Sequence, residues 1–264
     1  LQESMVYNGE TQGVLLMGYG YMLFYNEQML SNAGVDVPET PQELISAVKA
    51  ITNEDEGIYG WAMTTTEHPN VYVDVATFVF GQGERFIEDG EYRFTDPEVV
   101  RYIEQYREVS QYAPEGASSE FARQLLVDGK VAMMKDGPWV ASAFAQAPDD
   151  IRPHLKIGKV PFPQAAGGAS NSVHIPTAID EERKELVWEF IKILTTPEAQ
   201  QKYTISTRSP APRQGVLTEE LMAEYPELRA INETAETAVN TWPNSDVVQE
   251  NYSLYSKIVA EAML

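Results

Sequence analysis

Apolar positions along this chain switch repeatedly between a helical period and short unbroken runs. In residues 121–140, FARQLLVDGKVAMMKDGPWV, Phe121, Leu125 and Leu126 recur at helical spacing, and residues 131–134 form a short apolar run of the kind found in strands buried on both faces. Asp128-Gly129 ends the helix, because glycine accepts the left-handed conformation needed at a helix C-terminus. Asp136-Gly137 turns the chain and Pro138 suits the first position of a second helix. Trp139 thereby falls at a strand-to-helix corner, where α/β sheets place ligands. The competing reading is that it plugs a core, since tryptophan is usually highly buried.

The same alternation runs through the rest. Residues 13–25, GVLLMGYGYMLFY, read as one long buried strand with a glycine-loosened middle, and 26–33 as a short helix stopped by Gly34. Thr40 and Glu43 have capping-box spacing and open a helix to about Ile51. A strand over 58–63, an apolar helix over 71–80 and a hairpin around Asp89-Gly90 follow. Asp96-Pro97 caps a helix to about Tyr112, with Val99, Val100, Ile103 and Tyr106 on one side. Further on come a strand over 157–162, a small-residue loop over 165–170 and a strand over 172–179. An amphipathic helix over 181–195 is expected to turn Leu186, Val187, Phe190, Ile191 and Leu194 inward, and Pro197 starts another. Two helices, 218–240 and 245–264, close the chain across Trp242-Pro243. Helices alternating with strands favour an α/β fold.

Composition narrows the function. The 264 residues suffice for one large domain or two modest lobes, and 43% hydrophobic with 22% charged residues is ordinary for a globular protein. No apolar run approaches the ~20 residues that cross a bilayer. The opening LQESMVYNGE has neither a basic start nor an apolar stretch, as expected of a cytoplasmic chain or of the mature or excised part of an exported one. Cysteine is absent, which excludes disulfides and thiolate chemistry and fits an exported protein. Forty acidic against nineteen basic residues give a net charge of −21, a field that opposes binding to nucleic acid or anionic lipid. The acids are dispersed, as at 53–57, 180–185 and 218–227, so they read as a solvated surface rather than a cation site.

Signals for covalent chemistry are poor. His68, His154 and His174 are isolated, and no HExxH, GxSxG, GxGxxG or P-loop pattern occurs. His174, in an apolar stretch, reads as a core or interface histidine. No metal or cofactor is expected. A glycosidase-type carboxylate pair stays open, because spacing in sequence says nothing of the ~5–10 Å geometry it needs.

Several blocks, in order, carry a family resemblance. They are "GK-AMM" followed by "GPW" at 129–139; Tyr25-Asn26 with Leu30 and then AGVDVPETPQEL; Phe80-Gly81-Gln82-Gly83; GGASNSVHIP followed by EERKELVWEFIKILTTPEAQ; and Pro210-Ala211-Pro212. Together the chain resembles the family 1 extracellular solute-binding proteins, the maltose- and oligosaccharide-type receptors of ABC importers. Pro41 stands where that family usually has tryptophan, and Met17 and Met22 replace small or polar residues.

The resemblance implies a two-lobed α/β fold of the type II periplasmic-binding kind, with crossing hinge strands and cleft closure on a ligand. It assigns residues 1–24 and 163–212 to a partial N-lobe, lacking the opening βα units of relatives, and 25–162 and 213–264 to a C-lobe. It implies a carbohydrate receptor, with an oligosaccharide as ligand and permease subunits as partners. Such a receptor is expected to be monomeric, to be periplasmic or extracellular, and to meet the membrane through its transporter or a lipid anchor. Sugar recognition needs flat apolar faces with polar handles. The ligand-binding candidates are therefore Tyr19, Tyr21, Tyr72, Trp139 and Trp242, with Ser170 and Asn171 after the GG pair. Tyr19 and Tyr21, two apart in a strand, should share one face. Within the fold, the alternatives are a polyamine or glycerol-phosphate receptor. Outside it, the alternative is a glycoside hydrolase.

Overall fold

A computed structural model describes residues 5–7 and 9–241, with Lys257 and Glu261 beyond them. The final expected helix, 245–264, and Trp242 lie outside the described residues apart from those two positions.

The chain begins with β1 (Val6–Tyr7), β2 (Glu10–Thr11), β3 (Val14–Gly20) and β4 (Met22–Asn26), then α1 (Glu27–Ala33) and α2 (Pro41–Ile51). Next come β5 (Tyr59–Ala62), α3 (Asn70–Gly81), β6 (Ile87–Glu88), β7 (Glu91–Tyr92), α4 (Pro97–Ser110), α5 (Ser119–Val127) and β8 (Val131–Asp136). A 3-10 helical segment, Pro138–Gln146, precedes β9 (Leu155–Gly158) and β10 (Ala166–Val173). The chain continues through α6 (Glu181–Leu194), α7 (Pro197–Thr207), α8 (Glu219–Glu224), α9 (Glu227–Glu236) and β11 (Val239–Asn240).

Local chemistry sets several boundaries as the sequence implies. The Asn26 side chain accepts from the amides of Gln28 and Met29, and Gly34 closes α1 at φ 68°. Thr40 Oγ1 accepts from Glu43 N, while the Glu43 carboxylate accepts from Glu39 N, a capping box shifted by one residue. Asp89 and Gly90, at φ 50° and 80°, make the tight turn between β6 and β7.

Two main sheets form. One has the order β5-β8-β4-β9, with β5 parallel to β8 and the other pairs antiparallel. Alternation on its strands splits the apolar residues between two faces. Leu23, Trp61 and Met133 join the core beneath α2, α3 and α4, whereas Phe24, Ala62 and Met134 join a second core with Leu126, Leu228 and Ile231. The other sheet has the order β11-β10-β3, with β10 antiparallel to β3 and parallel to β11.

The expected single strand over 13–25 is therefore two strands in two sheets. The chain breaks at Tyr21, whose amide still donates to Ala166 O of β10 at 2.7 Å before Met22 begins β4 in the first sheet. This break carries the backbone from one sheet to the other.

Other expectations need correction. Residues 166–170 are not a loop: they belong to β10, and 172–179 is strand only as far as Val173. Glycine is required there by close approach, since a Cβ on Gly167 would lie 2.1 Å from Tyr19 O and 2.8 Å from Gly20 Cα. Gly167→Ala is expected to lower stability by at least ~1 kcal/mol, because two paired backbones cannot retreat from each other. Urea unfolding checks this, and an unchanged midpoint would show that the strands separate freely.

The strand expected at 157–162 lies earlier, at Leu155–Gly158, and the helix expected at 218–240 is divided by Pro226 into α8 and α9. The helix after Gly137 is a 3-10 segment. Phe121 and Val100 are exposed, and α5 buries Ala122, Leu126 and Val127 instead. On α6 only Ile191 is buried, while Leu186, Phe190 and Ile193 form an exposed stripe at helical spacing. His174 is exposed as well and bonds Ser172 Oγ and Gln12 O, so it is not a core residue.

Candidate functional site

Where the chain crosses between sheets, aromatic and charged side chains converge on a cleft of about 270 Å3. Tyr19 enters from the end of β3 and Tyr21 from the break itself, with ring centroids 5.2 Å apart and hydroxyls 3.2 Å apart. The shared-face expectation for the two tyrosines therefore holds in the geometry. Trp139 meets Tyr19 edge-on at 5.0 Å from the opposite side.

The DGPW turn aims that indole. Asp136 Oδ1 accepts from Gly137 N at 2.7 Å, tightening the corner after β8. A Cβ on Gly137 would fall 2.1 Å from the indole ring, so only glycine lets Trp139 fold back over the turn. Trp139 is half-buried: one part packs on the second core and another lines the cleft. Both readings of this tryptophan describe part of its surface.

The polar wall is two ion pairs. Arg123 on α5 grips Asp136 through Nε at 2.7 Å and Nη2 at 3.2 Å, a two-bond fork. Burial lowers the pKa of this guanidinium, but the Asp136 hydrogen bond and charge outweigh it and raise the pKa overall, so Arg123 stays cationic. Lys135 on β8 lies 2.6 Å from Asp74 on α3, with both side chains about nine-tenths buried. Its ammonium also sits 4.0 Å from the centroid of the Tyr21 ring, a cation–π contact. Asp74 Oδ2 accepts from Thr64 N at 3.2 Å. Burial first, and then Tyr19 and the Asp136 and Asp74 charges, pushes the Tyr21 phenol well above its ordinary pKa, so it remains a neutral hydroxyl donor. At the rim, Ser119 Oγ bridges Asn70 Nδ2 at 2.6 Å and Thr64 Oγ1 at 2.9 Å.

Two of the remaining candidates, Tyr72 and Asn171, lie elsewhere. Tyr72 is fully enclosed, and its hydroxyl donates to Thr241 O at 2.8 Å, tying α3 to the end of β11. Asn171 is exposed and its Nδ2 donates to Tyr203 OH at 3.0 Å, away from the cleft. The backbone of Ser170 lies at the irregularity in the β10–β3 register. Trp242 falls outside the described residues.

The sequence reading missed Asp74, Arg123, Lys135 and Asp136. Asp74 did leave a signal, as one acid inside the apolar run VYVDVATFVF, where a buried charge demands a partner. A larger recess, about 820 Å3, lies between β3, α9 and the loop holding Pro210-Ala211-Pro212. Among the described residues no aromatic ring lines it and neither ion pair borders it, so it lacks the features of the cleft.

Solved structures share this architecture. An ABC transporter solute-binding protein from Agrobacterium radiobacter K84 in complex with ribitol superposes with a TM-score of 0.86, at 20% identity, over 100% of this chain and 70% of that one. Maltose-bound T. maritima MalE3 gives 0.84 at 21% identity, over 99% and 70%. The fold is thus the periplasmic-binding-protein-like α/β fold. Residues 3–230 match the bacterial extracellular solute-binding protein family, and the chain belongs to it. A protein of Brucella abortus (strain 2308), named only as a binding protein, is 22% identical over 213 residues, 75% of this chain and 50% of its own length. The chain spans half the length of the curated relatives it matches.

Proposed function

We propose that this chain belongs to an extracellular receptor that captures a neutral sugar or polyol and delivers it to the permease subunits of an ABC importer. One observation supports the reading most: an aromatic corner of Trp139 and Tyr19 faces a wall whose charges cancel pairwise. Ring faces suit sugar C–H groups, and paired carboxylate and guanidinium groups suit hydroxyls, which both donate and accept. Ribitol and maltose in the two solved relatives are ligands of this type. In this proposal the lobes part at the break at Tyr21, so that the sheet of β3, β10 and β11 moves against the sheet of β5, β8, β4 and β9. Tyr19, Tyr21 and Trp139 hold the ligand, and Trp242 joins them on closure. The receptor works as a monomer in the periplasm or outside the cell, held near the membrane by its transporter or a lipid anchor.

The charge balance argues against the alternatives. A polyamine needs carboxylates free of internal cations, but Asp74 and Asp136 are both paired. A phosphate needs free basic groups, and here Lys135 and Arg123 are engaged. Glycoside hydrolysis needs one carboxyl group as a proton donor, a role unsuited to carboxylates locked onto cations.

A thermal-shift panel of ribitol, maltose, spermidine and glycerol 3-phosphate separates these readings. Saturation at a hundred times Kd adds ~2.7 kcal/mol, which corresponds to a midpoint rise of about 5 °C or more. The rise is expected with ribitol or maltose. A rise with spermidine or glycerol 3-phosphate alone would replace the proposal with the corresponding alternative.

A further inference from the structure

Trp61 on β5 is 2% exposed, and its indole Nε1–H meets no acceptor among the described residues. A buried donor left in that state costs the desolvation of the group with nothing in return. Trp61 borders a small void of about 10 Å3, which Asp74, Thr77 and Lys135 also line. Room for one water needs ~10–15 Å3 by this measure, so the void is sized for a single molecule.

The wall chemistry selects the occupant. The indole N–H and the Lys135 ammonium present protons, which repel a metal cation. Asp74 presents a carboxylate, which repels a halide. Thr77 Oγ1 spends its proton on Val73 O at 2.8 Å and keeps lone pairs for an incoming donor. What is required both accepts from nitrogen and donates to oxygen. We infer that one buried water occupies this void, accepting from Trp61 Nε1–H and donating to Asp74 and Thr77 Oγ1.

This site lies directly behind the cleft, with Asp74 and Lys135 belonging to both. The Asp74 carboxylate is then held from three directions: Lys135 on Oδ1, Thr64 N on Oδ2, and the water from the core side. The water is a positioning element of the cleft wall and does not depend on what the cleft binds.

A crystal structure of the protein grown in sodium bromide, at a resolution that shows ordered water, tests the inference. The expected result is one peak without anomalous signal, within hydrogen-bond distance of Trp61 Nε1 and Asp74. An empty void, an anomalous bromide peak, or an indole bonded directly to a protein acceptor would each overturn it. In solution, the Trp61 indole N–H, assigned by its loss in Trp61→Phe, should show a nuclear Overhauser cross-peak to long-lived water. A spectrum with the indole assigned and no such peak would also overturn it.

Discussion

Lys135→Met is expected to destabilise the protein by about 3–5 kcal/mol, the cost of leaving a buried carboxylate without its cation. Lys135 and Asp74 are each about nine-tenths buried and 2.6 Å apart, so solvent cannot take over the lost interaction. Most of that cost should be recovered in Lys135→Met/Asp74→Asn, because the neutral amide can still accept from Thr64 N and no charge remains to be solvated. Urea unfolding of wild type, both single variants and the double variant gives the coupling directly. A loss below ~1 kcal/mol for Lys135→Met would mean that bulk solvent screens Asp74 despite its burial. The pair also joins β8 to α3 across the cleft floor, so the same variant should loosen the geometry that Tyr21 shares with Lys135.

Much of the fold was legible because local chemistry and global packing agree. Asn26, Thr40 and Gly34 set helix ends through side-chain caps and a left-handed residue, interactions that need no tertiary partner. The run at 131–134 could be read as a doubly buried strand because both faces of that sheet are covered by helices. The errors arose where tertiary context overrides the local signal. AAGGAS has loop composition, yet its glycines are strand residues admitted by the close approach of β3. The α6 pattern is amphipathic, but the helix packs mainly on α7, and its Leu186, Phe190 and Ile193 stripe is exposed. Periodicity shows that a face is apolar and cannot say what, if anything, covers it.

The site was legible by half for a related reason. Trp139 and Tyr19 stand next to turn residues and glycines, so the sequence could place them at a corner. Tyr72 has the same residue type and a similar position near a helix start, but its hydroxyl satisfies a backbone carbonyl 169 residues away. The ion pairs were hidden because their partners lie 13 and 61 residues apart in sequence and meet only through sheet pairing and helix packing.

Trp139→Ala is expected to weaken binding of a sugar or polyol by ~1–3 kcal/mol, between about five- and two-hundredfold, the size of one lost aromatic contact. The indole lines the cleft edge-on to Tyr19, so its removal deletes one ring and frees the other to turn. Part of Trp139 packs on the core that holds Met134 and Val140, and some loss of stability will accompany the change. Gly137→Ala separates the two effects. An added methyl at 137 would lie about where the indole now folds, 2.1 Å from it, so the ring must swing out while every Trp139 atom is retained. If the indole binds ligand from its folded position, both variants should lose affinity, measured by calorimetry on protein shown to be folded. If Trp139 only fills the core, Trp139→Ala would lower the unfolding midpoint and leave the dissociation constant unchanged, and the aromatic corner would cease to be the ligand site.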